Sequence, residues 1–162
     1  MLILGIDTGM TAQNPTGWAL LDEFSDRIVS FGMLRPNGDA FEALTYRFVD
    51  LLTDLSEQHS PAKMRVCIEA PYLGRNAGTT IKLAELVGAY RALCYLSGYA
   101  VQEIVPAQAK AALAGIGNAS KAQMIDAARL RYGLALPSHV ADAIGIALAG
   151  VTWEGGDNGR DR

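Results

Sequence analysis

The run Leu2-Ile3-Leu4-Gly5-Ile6-Asp7 decides how the chain is read. Its aliphatic side chains predict a short buried strand, and the strand closes on a carboxylate. Val66-Cys67-Ile68 closes on Glu69 in the same way, and His139 and Asp142 open the apolar segment from Val140 to Val151. Burying a carboxylate without a partner costs several kcal/mol, so acids at the ends of core strands call for a cation. No Lys or Arg lies in these three segments, which makes a bound metal the simplest candidate.

Outward from the first strand, turn-rich stretches containing Asn14-Pro15 and Asp22–Asp26 separate two further strands, Gly17–Leu21 and Ile28–Leu34. Connections this short predict an antiparallel meander. Asp39 with Glu42 has the pattern of a capping box, and Phe41, Leu44, Phe48, Leu51, Leu52 and Leu55 repeat at helical spacing. That helix should lie on the sheet and stop before Pro61. Arg65–Glu69 reads as a fourth strand and Ala70–Thr80 as a loop. A helix from about Ile81 to Leu96 follows, apolar nearly all round, and it must be either deeply buried or shared with another subunit.

Tyr99–Val105 reads as a fifth strand, Pro106–Leu113 as a short helix and Gly115-Ile116-Gly117-Asn118 as a turn. Ser120 with Gln123 gives a second capping box and starts a helix to about Tyr132, and Pro137 or Ser138 starts the last helix. Residues 1–153 are expected to form one domain, and 154–162, rich in Gly and charge, a disordered tail. The order predicts an α/β domain on a five-stranded mixed sheet, three antiparallel strands then two parallel, flanked by helices. Asp7 and Glu69 then end adjacent central strands, and His139 and Asp142, three residues apart, share one helix face. Four ligand-type groups from three distant segments would converge at one end of the sheet.

Length and composition agree with such a domain. A chain of 162 residues can bury roughly 70% of its unfolded surface without staples. Cys67 and Cys94 are lone cysteines in apolar segments, outside any zinc-finger spacing, and read as buried thiols of a reducing compartment. The N-terminal segment is read neither as a signal peptide nor as a membrane span, so a cytoplasmic location is expected. The formal charge is −3, unevenly spread: residues 1–60 carry 3 basic and 9 acidic side chains, 61–131 carry 9 and 4, and 132–162 carry 2 and 4. The basic middle can present a positive face to phosphates, because local field rather than net charge attracts them.

Carboxylates with one imidazole and no thiolate suit Mg²⁺ or Mn²⁺ rather than structural zinc. Two such ions about 4 Å apart can activate a water and stabilise the leaving oxygen of a phosphodiester. Asp7, on the most central strand, is the candidate to bridge both. Bland readings stand beside these. Asp7 could cap the Thr8-Gly9 turn, Glu69 could face solvent, and Asp142 and His139 could be ordinary residues of a helix's first turn.

The strings Gly5-Ile6-Asp7-Thr8-Gly9, Ile68-Glu69 with Tyr72 three on, Gly115-Ile116-Gly117 with Lys121 after it, and His139-x-x-Asp142-Ala143 resemble the RuvC family of Holliday-junction resolvases. That family belongs to the RNase H-like superfamily, and the resemblance runs from about Leu2 to Gly150. It implies that Asp7, Glu69, His139 and Asp142 occupy the metal-binding catalytic positions. Tyr72 falls on the aromatic position associated with opening the junction, and Arg75, Asn76, Lys110 and Lys121 on positions facing DNA. Lys82 joins them as a further basic candidate, although each of these cations could be a solvated charge and Tyr72 a lid on the core. The implied activity is hydrolysis to 5′-phosphate and 3′-hydroxyl ends without a covalent intermediate. The implied assembly is a two-fold homodimer, with the 81–96 helix as candidate interface. A branch-migration helicase is a conceivable partner that the sequence does not identify.

Departures from the family pattern are Thr8 where Pro is common, His139 where Asp is frequent, extra residues in the loop Thr11–Thr16, and a more acidic chain. They fit a phage or otherwise divergent member with broader activity on branched DNA. A kinase or ATPase of the actin-like superfamily, suggested by Asp7-x-Gly9-x-Thr11, would need a second domain and a second phosphate loop. A non-cleaving junction-binding protein and an RNA-processing nuclease of the same fold are the remaining alternatives.

Overall fold

A computed structural model of the chain describes residues 1–71 and 77–152. β1 (Leu2–Asp7), β2 (Thr16–Asp22) and β3 (Arg27–Leu34) form an antiparallel meander. Helix α1 (Ala40–Gln58) leads to β4 (Met64–Glu69), and α2 (Ala77–Leu96) leads to β5 (Ala100–Ile104). Then come α3 (Pro106–Ala114), α4 (Lys121–Tyr132) and α5 (Ser138–Ala149). The strand order is β3-β2-β1-β4-β5, with β4 parallel to both β1 and β5. This is the expected five-stranded mixed sheet, with β1 at its centre.

The strand period of two divides the core. Leu4, Ile6, Leu20, Val66 and Ile68 face α1 and α2, where Phe48 and Tyr90 stack with ring centroids 4.0 Å apart. Ile3, Ala19, Leu21, Cys67 and Ile104 face α3, α4 and α5. Asp7 continues the Ile3-Gly5 row and Glu69 the Cys67 row, so both carboxylates fall on the second face.

Helix starts follow local chemistry. Asp39 accepts from the Glu42 N–H at 3.0 Å to cap α1. Ser120 and Gln123 make both halves of a capping box, Gln123 N–H donating to Ser120 Oγ at 3.3 Å and Ser120 N–H to Gln123 Oε1 at 2.8 Å. α3 ends at Gly115, whose φ of 79° only glycine adopts freely. α2 begins at Ala77 rather than Ile81. Its first residues, Ala77, Gly78 and Thr79, are exposed, so no apolar repeat marks that turn in the sequence.

Leu86, Val87, Tyr90 and Cys94 are buried against the sheet, whereas Ile81, Tyr95 and Leu96 are 59%, 55% and 85% exposed. Among the described residues α2 is therefore covered on one side only. Both cysteines are buried and free. Among the described residues, no helix is long and apolar enough to cross a membrane. The expected tail, 154–162, lies outside the described residues.

Candidate active site

The site is assembled where α5 crosses the ends of β1 and β2. Gly5 and Gly17 make that crossing possible. A Cβ on Gly17, the β2 partner of Asp7, would stand 2.2 Å from the His139 carbonyl oxygen, and one on Gly5 would stand 2.1 Å from that of Ala143. The first turns of α5 thus rest directly on strand backbone. This close approach brings His139 Nδ1 to 2.9 Å from Asp7 Oδ2, with the two side chains 12% and 13% exposed.

Glu69 and Asp142 complete an acidic group with Asp7. Burial, reinforced by the Asp7 charge, a hydrogen bond to Asp7 and the Asp142 charge, pushes Glu69 up to about 8, against the pull of Lys110. Burial and then Asp7 push Asp142 up to about 6, opposed by Lys121, His139 and Lys110. The carboxylates are therefore too close and too dry to ionise together at ordinary cost.

All four line one cleft of about 330 Å³, flanked by Lys110 of α3 and Lys121 at the start of α4. Of the sequence candidates, six are brought together here: the four ligand-type groups and these two lysines. Lys82 lies elsewhere, exposed on α2 beside a separate hollow that includes Phe41 and Glu85. Tyr72, Arg75 and Asn76 lie outside the described residues.

Sequence reasoning missed three contributors. Asn14 and Thr8, from the β1–β2 loop, also line the cleft. Thr8 Oγ1 is enclosed and has no hydrogen-bond partner among the described residues. Gly17 shapes the site through what it lacks, and a glycine inside an apolar strand was the one signal available for it.

As the side chains stand, no three His, Cys, Asp or Glu residues among those described are arranged to hold a metal ion. Asp7 is instead engaged by His139 and Glu69. The donor chemistry nevertheless fits a hard divalent cation: oxygen ligands and one imidazole, no thiolate, and mutual repulsion that such a charge would relieve.

A model of the family described as crossover junction endodeoxyribonuclease RuvC matches residues 3–150. The chain belongs to the RuvC family. It is 35% identical to the RuvC of Halorhodospira halophila, over 90% of this chain and 87% of that protein. With the RuvC of Chlorobium phaeovibrioides it shares 32% identity over 96% of this chain and 84% of that protein. The solved structure of T. thermophilus RuvC in complex with Holliday junction substrate superposes with a TM-score of 0.74 at 27% identity, covering 92% of each chain. The RuvC likeness extends across both sheet faces and includes every element that supplies the cleft.

Proposed function

We propose that this chain is a metal-dependent, structure-selective endonuclease that resolves Holliday junctions by paired symmetric nicks, leaving 5′-phosphate and 3′-hydroxyl ends. One observation carries the reading: Asp7, Glu69, His139 and Asp142 meet in a single cleft flanked by two lysines, in a chain of the RuvC family.

Asp7, Glu69, His139 and Asp142 are the proposed ligands of two Mg²⁺ or Mn²⁺ ions. When bound, such ions supply an activated water and stabilise charge on the attacking and leaving oxygens. Asp7 holds the His139 ring through Nδ1, which leaves Nε2 as the nitrogen able to bind a cation or take a proton. Lys110 and Lys121 offset phosphate charge at the cleft wall. Tyr72, Arg75, Asn76 and Lys82 are proposed DNA contacts on family position and charge.

We read residues 1–153 as one nuclease domain working as a homodimer through the face of α2 that the other described residues leave exposed. Exposed Ile81, Tyr95 and Leu96 on that helix support this. A four-way junction offers two symmetry-related strands, and a two-fold dimer offers one site to each. A cytoplasmic location fits the two buried free thiols.

The test is cleavage of labelled four-way junction, flap and linear duplex with divalent metal, by wild type and Asp7→Asn. Symmetric nicks confined to the four-way junction support resolution, and Asp7→Asn should lose at least a thousandfold in rate. Activity that survives Asp7→Asn removes the metal site from the argument. Equal cutting of all three substrates favours a broader branched-DNA nuclease, the second reading, which the Asn14-bearing loop at the cleft supports.

A further inference from the structure

Residues 8–15 join β1 to β2 and run straight off Asp7. Residues 11–14 are exposed, yet the loop is braced at both ends. At its base, fully buried Thr16 donates from Oγ1 to the Gly9 carbonyl at 2.8 Å and accepts from the Gly9 N–H at 3.2 Å. Near its tip, the Thr11 N–H donates to the Asn14 carbonyl at 3.0 Å and the Asn14 N–H to Thr11 Oγ1 at 2.9 Å. From beyond β3, Arg35 Nη1 donates to the Ala12 carbonyl at 2.6 Å. A Cβ on Gly9 would stand 2.2 Å from the Asn14 carbonyl oxygen, so the loop folds back on its own start.

The Asn14 backbone is thus pinned where the residue lines the acidic cleft, and its carboxamide has no hydrogen-bond partner among the described residues. The cleft is asymmetric. Its cations, Lys110 and Lys121, come from α3 and α4, whereas the loop contributes only the neutral polar groups Thr8 and Asn14. A phosphodiester strand entering among carboxylates is repelled unless donors hold it from more than one side. A neutral amide can hold a phosphate oxygen without placing a positive charge beside the acids.

We propose that Asn14 is a substrate-binding residue whose carboxamide donates to a phosphate oxygen adjacent to the scissile phosphate, and that Arg35 is a positioning residue acting through the loop. This rests on the endonuclease reading above.

The experiment uses the full chain and a four-way junction carrying single methylphosphonates at the phosphates flanking the cut. Asn14→Ala should raise KM about tenfold, in keeping with the loss of one hydrogen bond to a charged acceptor, with kcat changed less than twofold and the melting midpoint unchanged. Asn14→Asp should raise KM further. One methylphosphonate should cause the same loss in wild type and none in Asn14→Ala, both in KM and in junction binding measured in EDTA. Arg35→Ala should raise KM severalfold, with Arg35→Lys restoring it. Additive losses, or an unchanged KM for Asn14→Ala, overturn the assignment while wild-type cutting leaves the endonuclease reading standing. A loss confined to one base beside the cut also overturns it, in favour of base reading. A wild type that cuts no branched DNA overturns the endonuclease reading itself, and this assignment with it.

Discussion

His139 Nδ1 and Asp7 Oδ2 stand 2.9 Å apart, although the two residues are separated by 132 positions in the chain. The contact orients the imidazole from below and commits one of its two nitrogens. His139→Asn keeps an amide donor for Asp7 but removes Nε2, so cleavage should fall about 10²–10³-fold with the folded state intact. His139→Ala should also lose about 1 kcal/mol of stability. Single-turnover cleavage and urea denaturation read the two effects separately, and equal activity of His139→Asn and wild type would exclude a role for Nε2.

The raised carboxylates make stability depend on pH and metal together. Glu69 sits at about 8 instead of 4.5 and Asp142 at about 6 instead of 3.8. Between those values the folded state keeps protons that the unfolded chain has released, so the stability these two groups contribute is fully present below about pH 4 and is lost as pH rises through 6 and 8. In EDTA the melting midpoint should drop from pH 5 to pH 8 through these two groups, and Glu69→Gln should flatten the slope. Millimolar Mg²⁺ should raise the midpoint more at pH 8 than at pH 5. A Glu69→Gln slope identical to wild type would contradict the burial-driven shift.

Gly17→Ala tests the close crossing of α5. Its Cβ would meet the His139 carbonyl oxygen and carbon at 2.2 and 2.5 Å, both backbone atoms that cannot swing away. The strain should cost about 1–3 kcal/mol and displace the start of α5, lowering cleavage at least tenfold at temperatures where the variant stays folded. Denaturant melts and cleavage rates check both, and a variant as stable and active as wild type would show that α5 does not rest on this strand.

Thr8 carries an enclosed hydroxyl without a hydrogen-bond partner among the described residues. An unsatisfied buried hydroxyl costs about 1–3 kcal/mol, and Thr8→Val keeps the shape while removing it. The metal-free variant should therefore melt a few degrees higher than wild type. A lower midpoint would mean that the hydroxyl is bonded in solution.

The parts that were legible in the sequence share a cause. β1 was readable to the residue because aliphatic side chains at the centre of a sheet leave an uninterrupted apolar run, and its closing Asp7 stood out against it. Ser120 with Gln123 marked a helix start because capping is a bond between near neighbours. The first turn of α2 was missed because Ala77, Gly78 and Thr79 bury nothing and so carry no period. Asn14 was missed for a related reason: a loop asparagine ordinarily reads as turn chemistry, and nothing local says that the residue lines a cleft. Lys82 resembled Lys110 and Lys121 as a basic side chain, and only the packing of α2 sets it beside a different hollow.

By itself, the sequence determined the elements, their order and the four residue types able to hold a divalent cation, since periodicity, caps and strand-end acids are all short-range facts. Only the tertiary structure decided that those four groups share one cleft, that Asp7 grips His139, and that Lys110, Lys121 and Asn14 stand around them. The physical reason is that these contacts depend on how closely one backbone can approach another. At Gly5 and Gly17 that approach is set by a missing Cβ, whose consequence appears only when α5 is laid across the sheet.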